Sequence, residues 1–226
     1  DFYHSYSMSY HPLINFIVEQ GVPLQTVALL LMLPIVVTLV AFFRQVIGIK
    51  AFGIYTPSII TFALLAFDPN GIKYGIAIFV SVILVGTLSR LLMKQFRLLY
   101  LPRVAITVSI VSLAILGVLV IGGMYRRTGL AAVSIFPLLI MITLAEKFVA
   151  TQIEKGSKIA LVLAVETLII SVVGYYLISW DFLTTLVLHF PWIILFTFLI
   201  NFSLGKWTGL RITEFLRFRK IIRHLQ

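Results

Sequence analysis

Long uncharged apolar runs alternate with short polar breaks along the whole chain. Most runs approach the roughly 20 residues that an α-helix needs to cross about 30 Å of hydrocarbon. The pattern predicts seven transmembrane helices, at residues 22–43, 51–67, 74–92, 104–125, 130–145, 159–180 and 182–204. We therefore expect an all-α polytopic membrane protein with seven transmembrane helices.

The predicted helices divide the chain into three parts. Residues 1–21 contain no Lys or Arg, which predicts an extracytoplasmic lead-in, the tail of a periplasmic domain. Residues 22–204 form the seven-helix membrane domain, and residues 205–226 form a basic cytoplasmic tail whose amphipathic pattern predicts an interfacial helix. Because the chain opens with Asp1 and shows no signal peptide, we expect a fragment or a processed chain.

Two proline-containing apolar stretches resemble each other. Pro57 and Pro137 lie eighty residues apart, and the residues around them align. A unit of three helices that occurs twice must enter the membrane upside down the second time. We therefore expect a 3+3 inverted repeat over residues 22–96 and 102–180, with the helix at residues 182–204 outside it. A seven-helix bundle without internal symmetry is the alternative.

The two prolines predict broken helices. A proline inside a helix removes a backbone donor and clashes with the carbonyl one turn back. Freed backbone groups at membrane depth must be buried in protein or face a water-filled cavity, so the breaks are candidates for a substrate or ion pathway. The candidate residues at the breaks are Gly53, Tyr55, Thr56, Pro57, Ser58, Ser134 and Pro137. An ordinary kink in a packed helix is the alternative.

Composition agrees with a membrane protein. Apolar residues make up 61% of the chain and charged residues 12%, and the mean hydropathy of +1.09 exceeds that of soluble domains. The absence of cysteine excludes disulfides, thiolate zinc sites and iron–sulfur clusters. No catalytic motif and no complete metal site occurs in the sequence, so we expect neither an enzyme nor a metal or other cofactor.

The net charge of +10 suggests a nucleic-acid partner, but its distribution favours anionic lipid. With the N-terminus outside and the C-terminus inside, all but three of the 18 basic residues are cytoplasmic, as the positive-inside rule requires. The three exceptions are Lys73, Arg126 and Arg127. We predict this orientation, and no nucleic-acid partner.

One carboxylate and one histidine lie inside predicted helices. Glu166 is roughly 10 Å from the cytoplasmic end of its helix, at a cost that marks it as a functional candidate. His189 lies on the next helix. The two residues could form a proton relay, or Glu166 could form a structural bond with Arg90 or Thr167.

Basic residues at the predicted membrane surfaces are candidate contact sites. Arg126 and Arg127, at the outer mouth, could attract an anionic substrate or bind lipid phosphates. The cytoplasmic side could bind anionic lipid or a protein partner. Its candidate residues are Arg97, Arg103, Arg217, Arg219, Lys220 and Arg223.

The stretches GIKAFGIYTPSIITFALLAF and RRTGLAAVSIFPLLIMITLAEK resemble the seven-helix membrane domain that in proteobacteria is usually fused to an inactive transglutaminase-like domain. The resemblance covers residues 22–222. More distantly, the chain is similar to the small membrane subunit of poly-γ-glutamate synthases. The positions that match are Gly48, Phe52, Gly53, Thr56, Pro57, Arg127, Gly129 and Pro137, and the resemblance supplies no active site for them.

The resemblance implies a multi-pass protein of the bacterial inner (cytoplasmic) membrane with a periplasmic N-terminus. It also implies neighbours encoded beside it, namely ATP-grasp ligases and aspartic-peptidase-like proteins. We therefore expect a scaffold or conduit that works with a cytoplasmic ATP-grasp-type amide ligase on a glutamate-containing peptide or polymer. The alternative is a signalling or anchoring module that relays the state of a periplasmic domain. Beyond the lipid bilayer, the expected partners are that ligase, a periplasmic domain or peptidase-like protein, and further copies of the chain.

Overall fold

The structure, a computed structural model, describes residues 10–67, 71–96, 99–124, 135–207, 209 and 211–212. Within these ranges the chain forms helices and no strand, which confirms the predicted all-α class. The helices are α1 (Pro12–Glu19), α2 (Leu24–Phe42), α3 (Tyr55–Leu65), α4 (Gly71–Met93), α5 (Tyr100–Met124), α6 (Ile135–Lys155), α7 (Ser157–Ile178), α8 (Asp181–His189) and α9 (Ile193–Gly205).

The helices of membrane-spanning length correspond in order to the predicted ones. Among the described residues, α2 with the π-helical turn that follows it, α4, α5, α6 and α7 are long and apolar enough to cross a bilayer. Helices α8 and α9 pass the same test only as a pair, and α3 is a shorter apolar helix. The chain is thus a multi-pass membrane protein.

The last predicted helix is bent, which corrects the prediction of a continuous helix over residues 182–204. Helix α8 ends at His189, and α9 begins at Ile193 with its axis turned by 105°. Pro191 lies in the break, and the residue before a proline is driven out of the helical region. Phe190 accordingly has the non-helical angles φ −127° and ψ 70°.

The chain divides into two compact units. The central unit is Ile49–Tyr175, and the terminal unit combines Asp1–Gly48 with Tyr176–Gln226. In the central unit, α3 and α6 pack on each other, and both also pack on α4, which contacts α5. Their core contains fully buried side chains such as Leu64, Phe67 and Phe148.

In the terminal unit, α2 packs against α8 and α9. The Asn201 side chain on α9 donates a 2.7 Å hydrogen bond to the Thr38 hydroxyl on α2. Thr38 in turn donates to the carbonyl of Pro34, which lies inside α2. A smaller apolar cluster joins Ile14 of α1 to Val27 and to Leu188 at the end of α8.

Candidate functional site

The second predicted transmembrane segment is helical only in its second half. Helix α3 has 11 residues, which gives a length of roughly 16 Å, about half of the hydrocarbon thickness. Residues 49–54 before it are not helical, and they include left-handed backbone at Ala51 (φ 42°) and Gly53 (φ 84°). The predicted helix over residues 51–67 is therefore a non-helical loop followed by a half-length helix.

Pro57 does not break a helix, which corrects that prediction. The residues directly before Ile135 lie outside the described part of the chain, so the break at Pro137 stays a prediction. Pro57 is the third residue of α3, and Pro137 is the third residue of α6. The first-turn amides of a helix have no partner within the helix, so a proline there sacrifices no hydrogen bond. Pro57 thus lies in the first turn of α3, which has 11 residues, whereas the described part of α6 has 21.

Three consecutive backbone amides before α3 are bound by two side chains of α7. Lys50 N and Ala51 N donate to Glu166 Oε2 over 2.9 and 3.1 Å, and Phe52 N donates to Thr167 Oγ1 over 3.0 Å. We call this arrangement, formed by Lys50, Ala51, Phe52, Glu166 and Thr167, the amide clasp. A carboxylate and a hydroxyl thus replace the helical partners that the loop lacks.

The amide clasp explains why a carboxylate lies inside a membrane helix. Backbone N–H groups cost several kcal/mol when they are unpaired in hydrocarbon. Glu166 satisfies two of them with one oxygen. The predicted side-chain partners of Glu166 were wrong, because Thr167 accepts from Phe52 and the Arg90 guanidinium donates to the Ser157 hydroxyl.

A row of small residues continues the contact of α7 with α3. The Ser171 hydroxyl donates to the Pro57 carbonyl over 3.0 Å, and Thr61 donates to the same carbonyl over 2.9 Å. Gly174 lies so close to α3 that an added Cβ would stand 2.6 Å from Thr61 Oγ1. Thr167, Ser171 and Gly174 recur at helical spacing, so they lie on one side of α7.

A pocket of about 160 Å³ lies between α3 and α6. Four aliphatic side chains line it together with Thr56, Thr143 and Lys147. Lys147 Nζ donates a 2.7 Å hydrogen bond to Thr56 Oγ1. This places an ammonium group within a helix of membrane-spanning length, against a largely apolar surface.

The remaining predicted pathway residues that the structure describes belong to both compact units. Ser58 is buried and donates to the Ile54 carbonyl, whereas Tyr55 is 74% exposed. His189 belongs to the terminal unit, where its Nδ1 lies 2.8 Å from the Thr185 carbonyl oxygen. Since Glu166 belongs to the central unit, the predicted relay between the two stays a prediction.

Several predicted pathway and surface residues lie outside the described part of the chain. They are Ser134, Arg97, Arg126, Arg127, Arg217, Arg219, Lys220 and Arg223. Arg103 is described and lies half-buried in the first turn of α5. Among the described residues, no group of three or more His, Asp or Glu side chains could hold a metal ion.

Sequence reasoning missed Lys147 and the α7 side of the contact. The fifth predicted helix ends at residue 145, before Lys147, whereas α6 continues to Lys155. The spacing of Thr167, Ser171 and Gly174 was a readable signal, because small and hydroxyl residues at such spacing mark close helix contacts in membranes. The hydrogen bonds of the loop amides could not be predicted, because the residue types do not show which backbone N–H groups lack helical partners.

Comparison with known protein families matches residues 5–222 to a family described as seven transmembrane helices usually fused to an inactive transglutaminase. No match was found among curated proteins or among solved structures.

Proposed function

Because the chain belongs to the family of seven-transmembrane-helix domains usually fused to an inactive transglutaminase, we propose that it is a noncatalytic membrane scaffold. Its proposed partner is a cytoplasmic ATP-grasp-type amide ligase that acts on a glutamate-containing peptide or polymer. The proposed membrane is the bacterial inner membrane, with the N-terminus periplasmic and the C-terminus cytoplasmic. The ligase would dock on the cytoplasmic end of the central unit.

The observation that carries this proposal is a concentration of positive charge at one end of the central unit. The Arg90 guanidinium donates to the Ser157 hydroxyl, so the end of α4 meets the start of α7. Ser89 donates to Thr107, which brings the start of α5 to the same place. The basic residues at these helix ends are Arg90, Lys94, Arg103, Lys155 and Lys158, and we call them the basic end.

The basic end suits an acidic protein partner. Lys94, Lys155 and Lys158 are exposed, and with the exposed Glu154 beside Lys155 the surface keeps a net positive charge. A net positive surface attracts an acidic one and steers its approach. The family's inactive fusion partner favours a noncatalytic role for the membrane part as well. A scaffold needs a rigid surface rather than an active site, and the helix contacts that hold the basic end together provide one.

The docking proposal is tested by reversing charge at the basic end. The double variant Lys94→Glu with Lys158→Glu should reduce co-purification of the ATP-grasp ligase from native membranes by about tenfold or more, since both charges face outward. Lys73→Glu is the matched control, because Lys73 is an exposed lysine near the opposite end of α4. Unchanged co-purification of the double variant, or an equal loss in the control, would contradict the proposal.

The hydrogen bonding of α3 supports a scaffold rather than an open conduit. Thr56, Ser58 and Thr61 all bond within the protein. If the chain nevertheless conducts, proteoliposomes that contain it should take up a labelled glutamate peptide, and Pro57→Ala should abolish the uptake. We expect no uptake above that of empty liposomes.

The terminal unit supports a second candidate, a relay of the state of an extracytoplasmic domain. His11 N donates to the Leu188 carbonyl over 3.4 Å, and the Tyr10 and His189 rings lie 5.9 Å apart. The entry into α1 thus touches the end of α8, at the bend that leads to α9. A relay would require Ile14→Ala, which loosens the α1 contact, to change ligase binding at a distance. The scaffold proposal expects no change.

A further inference from the structure

The pocket between α3 and α6 has the composition of a site for an amphiphilic anion. Its aliphatic lining comes from Ile59, Ile60, Ile140 and Leu144, and its polar lining includes Thr56 and Lys147. An apolar pocket with a few convergent polar groups is the usual form of a small-molecule site. At about 160 Å³ it admits a short chain segment with a compact head group rather than a folded peptide.

Among the described residues, the ammonium group in this pocket has no anionic partner. Lys147 Nζ donates to the Thr56 hydroxyl and forms no ion pair there. Lys147 lies eight residues before Lys155, the last residue of α6, which places it roughly 12 Å from that helix end. The Lys147 side chain is exposed, and a charged side chain within an apolar helix of membrane-spanning length is costly unless it is paired.

The start of α3 adds a second positive feature. Thr56 is the second residue of α3, and no side chain caps the N-terminus of this helix. Helix N-termini carry partial positive charge and unpaired amides that favour anions. Because the Thr56 hydroxyl accepts from Lys147, its own proton is available to a ligand.

We propose that this pocket binds a carboxylate carried on an apolar chain. The Lys147 ammonium and the Thr56 hydroxyl would hold the carboxylate, and the aliphatic side chains would hold the adjoining methylene groups. One ammonium neutralises one negative charge, which fits a carboxylate better than a doubly charged phosphate monoester. Two sources share this chemistry, namely a fatty acid of the bilayer and an acidic side chain of a membrane-bound peptide.

Dodecanoate is the test ligand, with the full chain in a neutral detergent. Radiolabelled dodecanoate should bind the unaltered chain, and Lys147→Met should reduce its affinity by about tenfold or more, which is the loss of a charged hydrogen-bonded contact. Lys147→Arg should keep most of the affinity. Lys73→Met is the control, because Lys73 is an exposed lysine of α4 outside both the pocket and the basic end, and this variant should bind like the unaltered chain.

Competition experiments identify the source of the carboxylate, and two of their outcomes would contradict the proposal. Displacement by a soluble tetraglutamate peptide, lost in Lys147→Met, assigns the site to a peptide. Resistance to that peptide, with binding of dodecanoate retained, assigns it to a fatty acid. Equal binding by Lys147→Met, or displacement by dodecanol as effective as by unlabelled dodecanoate, overturns the proposal. The basic end lies on other residues, so failure here leaves the docking proposal standing.

Discussion

Replacing Thr167 by valine tests the amide clasp with almost no change in side-chain volume. Thr167 is fully buried, and its hydroxyl oxygen accepts from Phe52 N over 3.0 Å. Valine leaves that amide buried without a partner, and an unsatisfied buried donor costs about 1–3 kcal/mol. We therefore expect Thr167→Val to lower the free energy of unfolding by about 2 kcal/mol.

The measurement is thermal unfolding in a neutral detergent. Its readout is the fraction of protein that stays monodisperse on size-exclusion chromatography after heating. In chains of this size, each kcal/mol corresponds to about 2–4 °C of Tm, so Thr167→Val should lose about 4–8 °C. Thr151→Val is the control, because the Thr151 hydroxyl bonds only to a carbonyl of its own helix. The reasoning is refuted if the two variants unfold within about 1 °C of each other, since surface substitutions already vary that much.

Three further substitutions test other parts of the central unit. Gly174→Ala should lower Tm because the new Cβ would lie 2.6 Å from a hydroxyl of α3. Gly117→Ala is the control, because open space surrounds Gly117, and it should leave Tm unchanged or raise it. Equal effects of the two substitutions on Tm would disprove the close contact. Gly53→Ala should cost about 1–2 kcal/mol of stability, since φ is 84°, and unchanged Tm would contradict this backbone. The chain contains no cysteine, so single cysteines can be labelled with an impermeant maleimide. Lys73→Cys should react from the outside and Lys94→Cys from the cytoplasmic side. Labelling of both variants from the same side would refute the predicted orientation.

The sequence predicted the helical class and the order of the apolar segments, because the length of an apolar run can be counted directly from the residue types. It also placed Gly53 and Pro57 at an irregularity. It could not tell a proline that breaks a helix from one that starts it, because both look the same in an apolar stretch. The difference is decided by whether the residues before Pro57 find helical partners, and here they bond to α7 instead.

The role of Glu166 was only partly readable. Its position inside an apolar run marked it as unusual, which the structure explains by its two amide donors. Backbone partners leave no trace in residue identity, so reasoning from the sequence searched among side chains and named Arg90. The bend between α8 and α9 was signalled by Pro191, but the length of the apolar run favoured a single helix.

The inverted repeat stays a prediction. Pro57 lies in the first turn of α3, but the residues that lead into α6 and Pro137 are outside the described part of the chain. The two helices that contain these prolines, α3 and α6, differ nearly twofold in described length. Measured distances between spin labels at equivalent positions of the two halves would decide whether a dyad relates them.

Hydrogen exchange of the Lys50, Ala51 and Phe52 amides tests the amide clasp most directly. These amides lie in a loop that would exchange quickly if it were unbound. In the unaltered chain they should be protected, and Glu166→Ala should deprotect Lys50 and Ala51 while Phe52, held by Thr167, keeps most of its protection. Rapid exchange in the unaltered chain, or protection that survives Glu166→Ala at all three amides, would contradict the account.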